Sequence, residues 1–202
     1  MTLFNRLSRF LALIGFLFML IIGLFSCNSD DFTPKPRGYF RIALPPKQYR
    51  LMDSIYPYTF EIPLYARITP DAFALQEKNW INVDFPRFRG RIHLSYKEIS
   101  SMEMLQKYTE DARTLALKHI PKASSIEQNA LANPQSHVYG LVYNIKGVGA
   151  ASPYQFIATD STRHFLRGAL YFDAIPNSDS LMPVIEFIKK DIEHMIQTLK
   201  WK

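Results

Sequence analysis

The first pattern along the chain is an apolar run from Phe10 to Phe25, sixteen residues with nothing more polar than glycine. It follows a short positive stretch holding Arg6 and Arg9 and no acid. Beyond residue 37 the pattern changes to short alternations. Residues 38–42, 58–62 and 66–68 read as extended pieces. Residues 80–85 alternate Ile81, Val83 and Phe85 with polar neighbours, the period-two signature of a half-buried strand. Residues 91–96 alternate again after a turn at 86–90, and the two predict a hairpin. Leu105, Tyr108, Ala112, Leu115 and His119 then fall three or four apart, one stripe of a helix that Pro121 ends. Strands are predicted at 138–145, 154–158 and 165–172, with turns at 146–150 and 160–162, a meander of antiparallel neighbours. The last element carries Leu181, Val184, Ile185, Ile188, Ile192, Met195, Ile196 and Leu199 along one broad apolar stripe. Asp179 or Ser180 would cap that helix, with Pro183 in its first turn. The fold class is therefore α+β: a mainly antiparallel sheet covered by two long helices.

The N-terminal run is too short to cross a bilayer, which takes roughly 20 apolar residues. A positive start, an apolar middle and the small Ser26 before Cys27 read instead as an export signal with a bacterial lipobox, although Phe25 is bulkier than that motif favours. Cys27 is the only cysteine of the 202 residues, and lipidation gives it a use. The expected organisation is a signal peptide over 1–26, a lipidated tether over 27–37 and a single α+β domain over 38–202. Several acyl chains on Cys27 would hold the protein to a membrane without help from the domain surface. Asp30 and Asp31 read either as a surface-export signal beside the lipid or as a solvated linker.

Without residues 1–26 the formal charge falls from +6 to +4, because only Arg6 and Arg9 leave. That charge is not concentrated anywhere, so no nucleic-acid partner is implied. The motifs of zinc proteases, serine hydrolases and nucleotide binders do not occur. The five histidines His93, His119, His137, His164 and His194 stand too far apart in sequence to form a helical metal pair. No cofactor is expected, and the chain does not read as an enzyme. Gly147 and Gly149 link two strands and not a strand to a helix, so they form a turn and no phosphate cradle. Phe165, Tyr171 and Phe172 read as core.

Two arginine-aromatic groups are candidate partner surfaces: Arg37, Tyr39 and Arg41 at the domain entry, and Arg87, Arg89 and Arg91 with His93 around the hairpin. Solvated basic loops would look the same. A ligand-binding or hydrolytic protein acting on envelope glycans or lipids is the rival reading, with a pocket lined by Asp84, Arg91, His93 and Ser95. Ser54, Ser161 and Ser180 each follow an aspartate in a pattern that resembles the O-glycosylation sequon of exported Bacteroidota proteins; Asp-Ser is also ordinary turn and cap chemistry.

Several segments together resemble one family. They are residues 33–42, 82–86, 90–96, 111–115, 165–172 and 191–194, with the closing Trp201 and Lys202. Over essentially the whole mature chain they are similar to the gliding-motility lipoproteins of the GldD family of the Bacteroidota. The resemblance implies an outer-membrane lipoprotein needed for gliding and for the linked type IX secretion system, with partners among those envelope proteins. That family has no recognised catalytic residues, so Cys27 alone carries over as a defined site. The order of strands and helices is also similar to Mog1/PsbP-like domains, an analogy of fold that says nothing of activity.

Overall fold

In the computed structural model, residues 42–52, 55–72, 74, 76–173 and 178–202 are described, together with Ile14 and Gly15; for 178–180 this covers the backbone alone. The strands are β1 (Tyr49–Leu51), β2 (Tyr58–Thr59), β3 (Glu61–Pro63), β4 (Arg67–Pro70), β5 (Ile81–Phe85) and β6 (Gly90–Glu98). Helix α1 (Met102–Leu117) follows, then β7 (Ser125–Asn133), β8 (Val138–Lys146), β9 (Tyr154–Thr159) and β10 (His164–Phe172). Helix α2 (Ser178–Gln197) and β11 (Lys200–Trp201) close the chain. Seven strands form one antiparallel sheet in the order β4-β5-β6-β10-β9-β8-β7, while β1 pairs with β3 and β11 with β2. Among the described residues no helix is long and apolar enough to cross a membrane.

Alternation explains which helix covers which face. Ile92, Leu94 and Tyr96 of β6, Leu166 and Leu170 of β10 and Phe156 and Ala158 of β9 share one face. That face packs on Val184, Ile188, Ile192, Met195 and Ile196 of α2. Burying each such aliphatic side chain contributes about 1.5–3 kcal/mol. The opposite face, with Ile157, Phe165, Tyr143 and Ile145, packs on Ala112 and Ala116 of α1. The two predicted helices thus lie on opposite faces. Ser101 caps α1, its hydroxyl accepting from the Met104 N–H at 3.3 Å. Leu115, placed on the buried stripe by its spacing, is instead exposed, and Ala116 takes the inner position.

The hairpin forms as expected, with Ile81 opposite Leu94 and Phe85 opposite Gly90. Its turn is a short 3-10 segment over Pro86–Phe88, closed by Arg89 at φ 50°. The predicted half-burial of β5 is wrong, because all five residues are buried. Asn82 and Asp84 point away from α2, and side chains from β4 and β6 close over them.

Other expectations also need correction. Ile42 lies in no strand and the rest of 38–42 falls outside the described residues; the first strand described is β1. Residues 58–62 break at Phe60 into two strands with different partners. Because α2 begins at Ser178, Asp179 and Ser180 lie inside its first turn and are not caps. Pro183 stands a turn inside, where it forgoes one backbone hydrogen bond. Tyr171 is half-buried and lies outside the core, whereas Phe172, also half-buried, packs against it. Strands β7 and β11 were not expected at all.

Candidate functional site

The sheet register builds the site. On the face turned from α2, Arg67, Asp84, Arg91 and Tyr171 stand opposite one another on β4, β5, β6 and β10. The next row holds Thr69, Asn82, His93, Ala169 and Gln155. Asp84 anchors the first row. Its carboxylate accepts from Arg91 Nε at 2.5 Å and from the Thr69 hydroxyl at 2.8 Å, with Arg67 Nε at 3.8 Å. The Asp84 side chain is 8% exposed, whereas those of Arg67 and Arg91 are 67% and 44% exposed. Arg89, at the tip, donates to Asp173 at 2.8 Å.

These groups line a cavity of about 390 Å³ with His93, Tyr171, Phe85 and Phe172 on its walls. His93 meets Tyr171 edge to face, with ring centroids 5.5 Å apart. Burial pulls its pKa below the usual imidazole value, against Asp71 at 3.9 Å. The ring is therefore neutral at physiological pH. Behind the row, Asn82 Oδ1 and Gln155 Nε2 are buried without a protein hydrogen bond among the described residues. Also among the described residues, no three His, Cys, Asp or Glu side chains gather as a metal site would require.

The structure brings Asp84, Arg89, Arg91 and His93 together but separates them from Arg87 and Ser95. Arg87 is exposed and does not line the cavity. Ser95 opens into a different, apolar cavity of about 270 Å³ between Trp80, Tyr108 and Phe165. Cys27, Arg37, Tyr39, Arg41 and Ser54 lie outside the described residues, as does the Ser180 side chain. Ser161 is exposed in the β9–β10 turn at φ 67°.

The aspartate before Ser161 is structural. Burial raises the Asp160 pKa, yet the N–H groups of His164, Arg163 and Thr162 and the Thr162 hydroxyl outweigh it and bring the carboxyl from 3.8 to about 2. The folded value lies below the unfolded one, so this stabilisation is complete above about pH 4 and lost as pH falls towards 2. Asp160→Ala is expected to lose about 1–2 kcal/mol at pH 7 and to match the parent near pH 2 in urea unfolding. A gap of equal size at both pH values would contradict this account of the turn.

Sequence reasoning missed Arg67, since only the register of β4 on β5 reveals its place beside Asp84. It also missed a buried charge on α2. Asp191 accepts from Lys47 Nζ at 2.7 Å, Tyr49 at 2.9 Å and Tyr65 at 2.6 Å. Nearby, Tyr49 stacks on His194 at 3.7 Å, and His194 contacts Glu61 at 2.6 Å. The available signal was an acid set between Ile188 and Ile192 on the apolar stripe.

With this geometry in place, the family model described as gliding motility lipoprotein GldD matches residues 29–201. The chain belongs to that family. This member of the GldD family is thus a gliding-motility lipoprotein with an α+β fold. No curated protein matches the sequence significantly. Among solved structures, the solution structure of cyanobacterial PsbP (CyanoP) from Synechocystis sp. PCC 6803 is similar at 9% identity, with a TM-score of 0.44. The match covers 81% of this chain and 98% of that one, too loose a superposition to carry the Mog1/PsbP analogy further.

Proposed function

We propose that this GldD-family chain is a non-enzymatic outer-membrane lipoprotein that supports gliding motility and type IX secretion through protein contacts. Residues 1–26 are removed, Cys27 carries the lipid, residues 27–37 form the tether, and the domain beyond offers a docking edge. Strand β7 supports this reading. Among the described residues it pairs only with β8, and it holds that register without interruption for nine residues, Ser125 opposite Lys146 through Asn133 opposite Val138. The other end of the sheet is β4, four residues long and blunted by Arg67 and Pro70. Proteins blunt an edge in such ways to prevent unwanted pairing. β7 has no proline and no lysine, and its one charge, Glu127, is held by Lys146 at 2.6 Å. An extended segment of a partner can add to such an edge by backbone hydrogen bonds.

Placing lysines at exposed Gln128 and Ala130 should abolish colony spreading and co-purification of partners from native membranes. Thermal stability should stay close to the parent, as for most surface changes. Normal spreading by the Gln128→Lys/Ala130→Lys protein would rule the docking edge out. The hydrolytic rival draws no support from the arrangement, because Ser95 and His93 open into different cavities.

A further inference from the structure

We infer that the arginine-rimmed cavity at the β5–β6 hairpin binds a phosphate monoester group. The inference does not depend on the β7 edge. Its first support is a charge imbalance. One buried carboxylate, Asp84, stands between two arginines, while the third arginine, Arg89, is already neutralised by Asp173. Within the lining a single guanidinium would balance Asp84 and the second leaves one positive charge, while the Asp71 carboxylate lies outside the lining, 3.9 Å from His93 Nδ1. A bound anion restores the balance.

Orientation is the second support. Arg91 and Arg67 both turn Nε toward Asp84, so the two-nitrogen edges of their guanidinium groups are available to a guest. Among the described residues, no protein acceptor engages those outer nitrogens. Asp84 is itself fixed by the Thr69 hydroxyl, which holds the row in place before any ligand arrives. Tyr171 and the neutral His93 ring add uncharged donors on the same wall.

Chemistry selects the guest. One guanidinium edge satisfies a planar carboxylate, whereas donors arriving from Arg67 on β4, Arg91 on β6 and Tyr171 on β10 suit a tetrahedral group with three outer oxygens. The half-buried Phe172 gives the wall an apolar side against which the carbon of the ester can rest. A phosphate borne on a lipid and one on a soluble sugar share this chemistry.

The test titrates the full-length lipidated protein, in neutral detergent at fixed ionic strength, with inorganic phosphate and with dihexanoyl phosphatidate. Dihexanoyl phosphatidylcholine, a diester, is the control ligand. Saturable binding of one equivalent is expected, weakening as salt rises. Arg67→Gln should weaken it about tenfold, as removal of one charge-assisted pair does. Lys107→Gln, the same charge change on α1 outside the cavity, should leave it unaltered. Arg67 is mostly exposed, so its variant keeps the fold, and circular dichroism checks this. Equal affinity for both phosphates means that the group alone is read, and tighter binding of phosphatidate means a lipid-borne carrier. No saturation up to about 10 mM phosphate, or an Arg67→Gln protein that binds as the parent does, would overturn the inference.

Discussion

Gly140→Ala is expected to destabilise the domain by about 3 kcal/mol, at the upper end of what a single added methyl costs a packed interior. The new Cβ would lie 1.9 Å from the Ile157 carbonyl oxygen and 3.2 Å from Ala158 Cα. Both atoms belong to the backbone of β9, on which Gly140 is registered opposite Ala158. No rotamer change can relieve such a contact. Either β8 separates from β9 at this point or the register is strained between these two strands. Urea unfolding should show a lower midpoint with an unchanged slope, the sign of a stability change alone. Gly149→Ala is the matched control, since its Cβ would meet only the flexible Lys122 side chain at 3.3 Å. If Gly140→Ala unfolds at the parent's midpoint, β8 and β9 are not held as closely as described.

Asp191→Ala should cost more, about 3–5 kcal/mol, because it leaves a charge without its partner. Asp191 is 2% exposed, and its two oxygens take three donors. Lys47 also donates to the Phe187 carbonyl at 2.7 Å and lies 3.3 Å from the Phe187 ring centroid. Burial lowers the Lys47 pKa, and the pull of Asp191 acts against that. Burial and Asp191 both raise the pKa values of Tyr49 and Tyr65, so these remain donors throughout the physiological range. Remove the carboxylate and the ammonium keeps its desolvation cost with only the Phe187 carbonyl and ring and the Tyr65 hydroxyl, all uncharged, to offset it. Replacing both ends, as in Lys47→Met/Asp191→Leu, should recover most of the loss, since an apolar pair can substitute for a buried ionic one. Chemical denaturation of the parent, Lys47→Met, Asp191→Leu and the double variant closes the cycle. A cost below about 1 kcal/mol for Asp191→Ala would mean that the network is only an accessory to packing.

What the sequence made legible follows from how much of each element's reason is local. The β5–β6 hairpin and α2 were readable because large apolar residues recur at the strand and helix periods. β7 was not, since Ser125–Asn133 holds amides, small residues and only one β-branched apolar side chain. Its strand state comes from the backbone of β8, a non-local cause that no periodicity records. The two residues of β11 are likewise extended because β2 lies opposite them. The cavity followed the same rule. Arg89, Arg91 and His93 could be singled out as a group near one turn, but joining them to Arg67 and Tyr171 required the order of four strands. Burial on both faces misled the reading of β5, where polar residues at alternate positions suggested solvent and met arginine instead.

The Lys47–Asp191 contact also fixes how a mechanical load would travel. Tension applied anywhere upstream of Lys47 reaches this junction before it reaches β1, and passes through Asp191 into the long axis of α2. The helix spreads the pull over the apolar contacts it makes with the sheet, so no single strand is peeled away first. A protein drawn from its N-terminal side would thus yield at a bolted helix and not at a fraying edge.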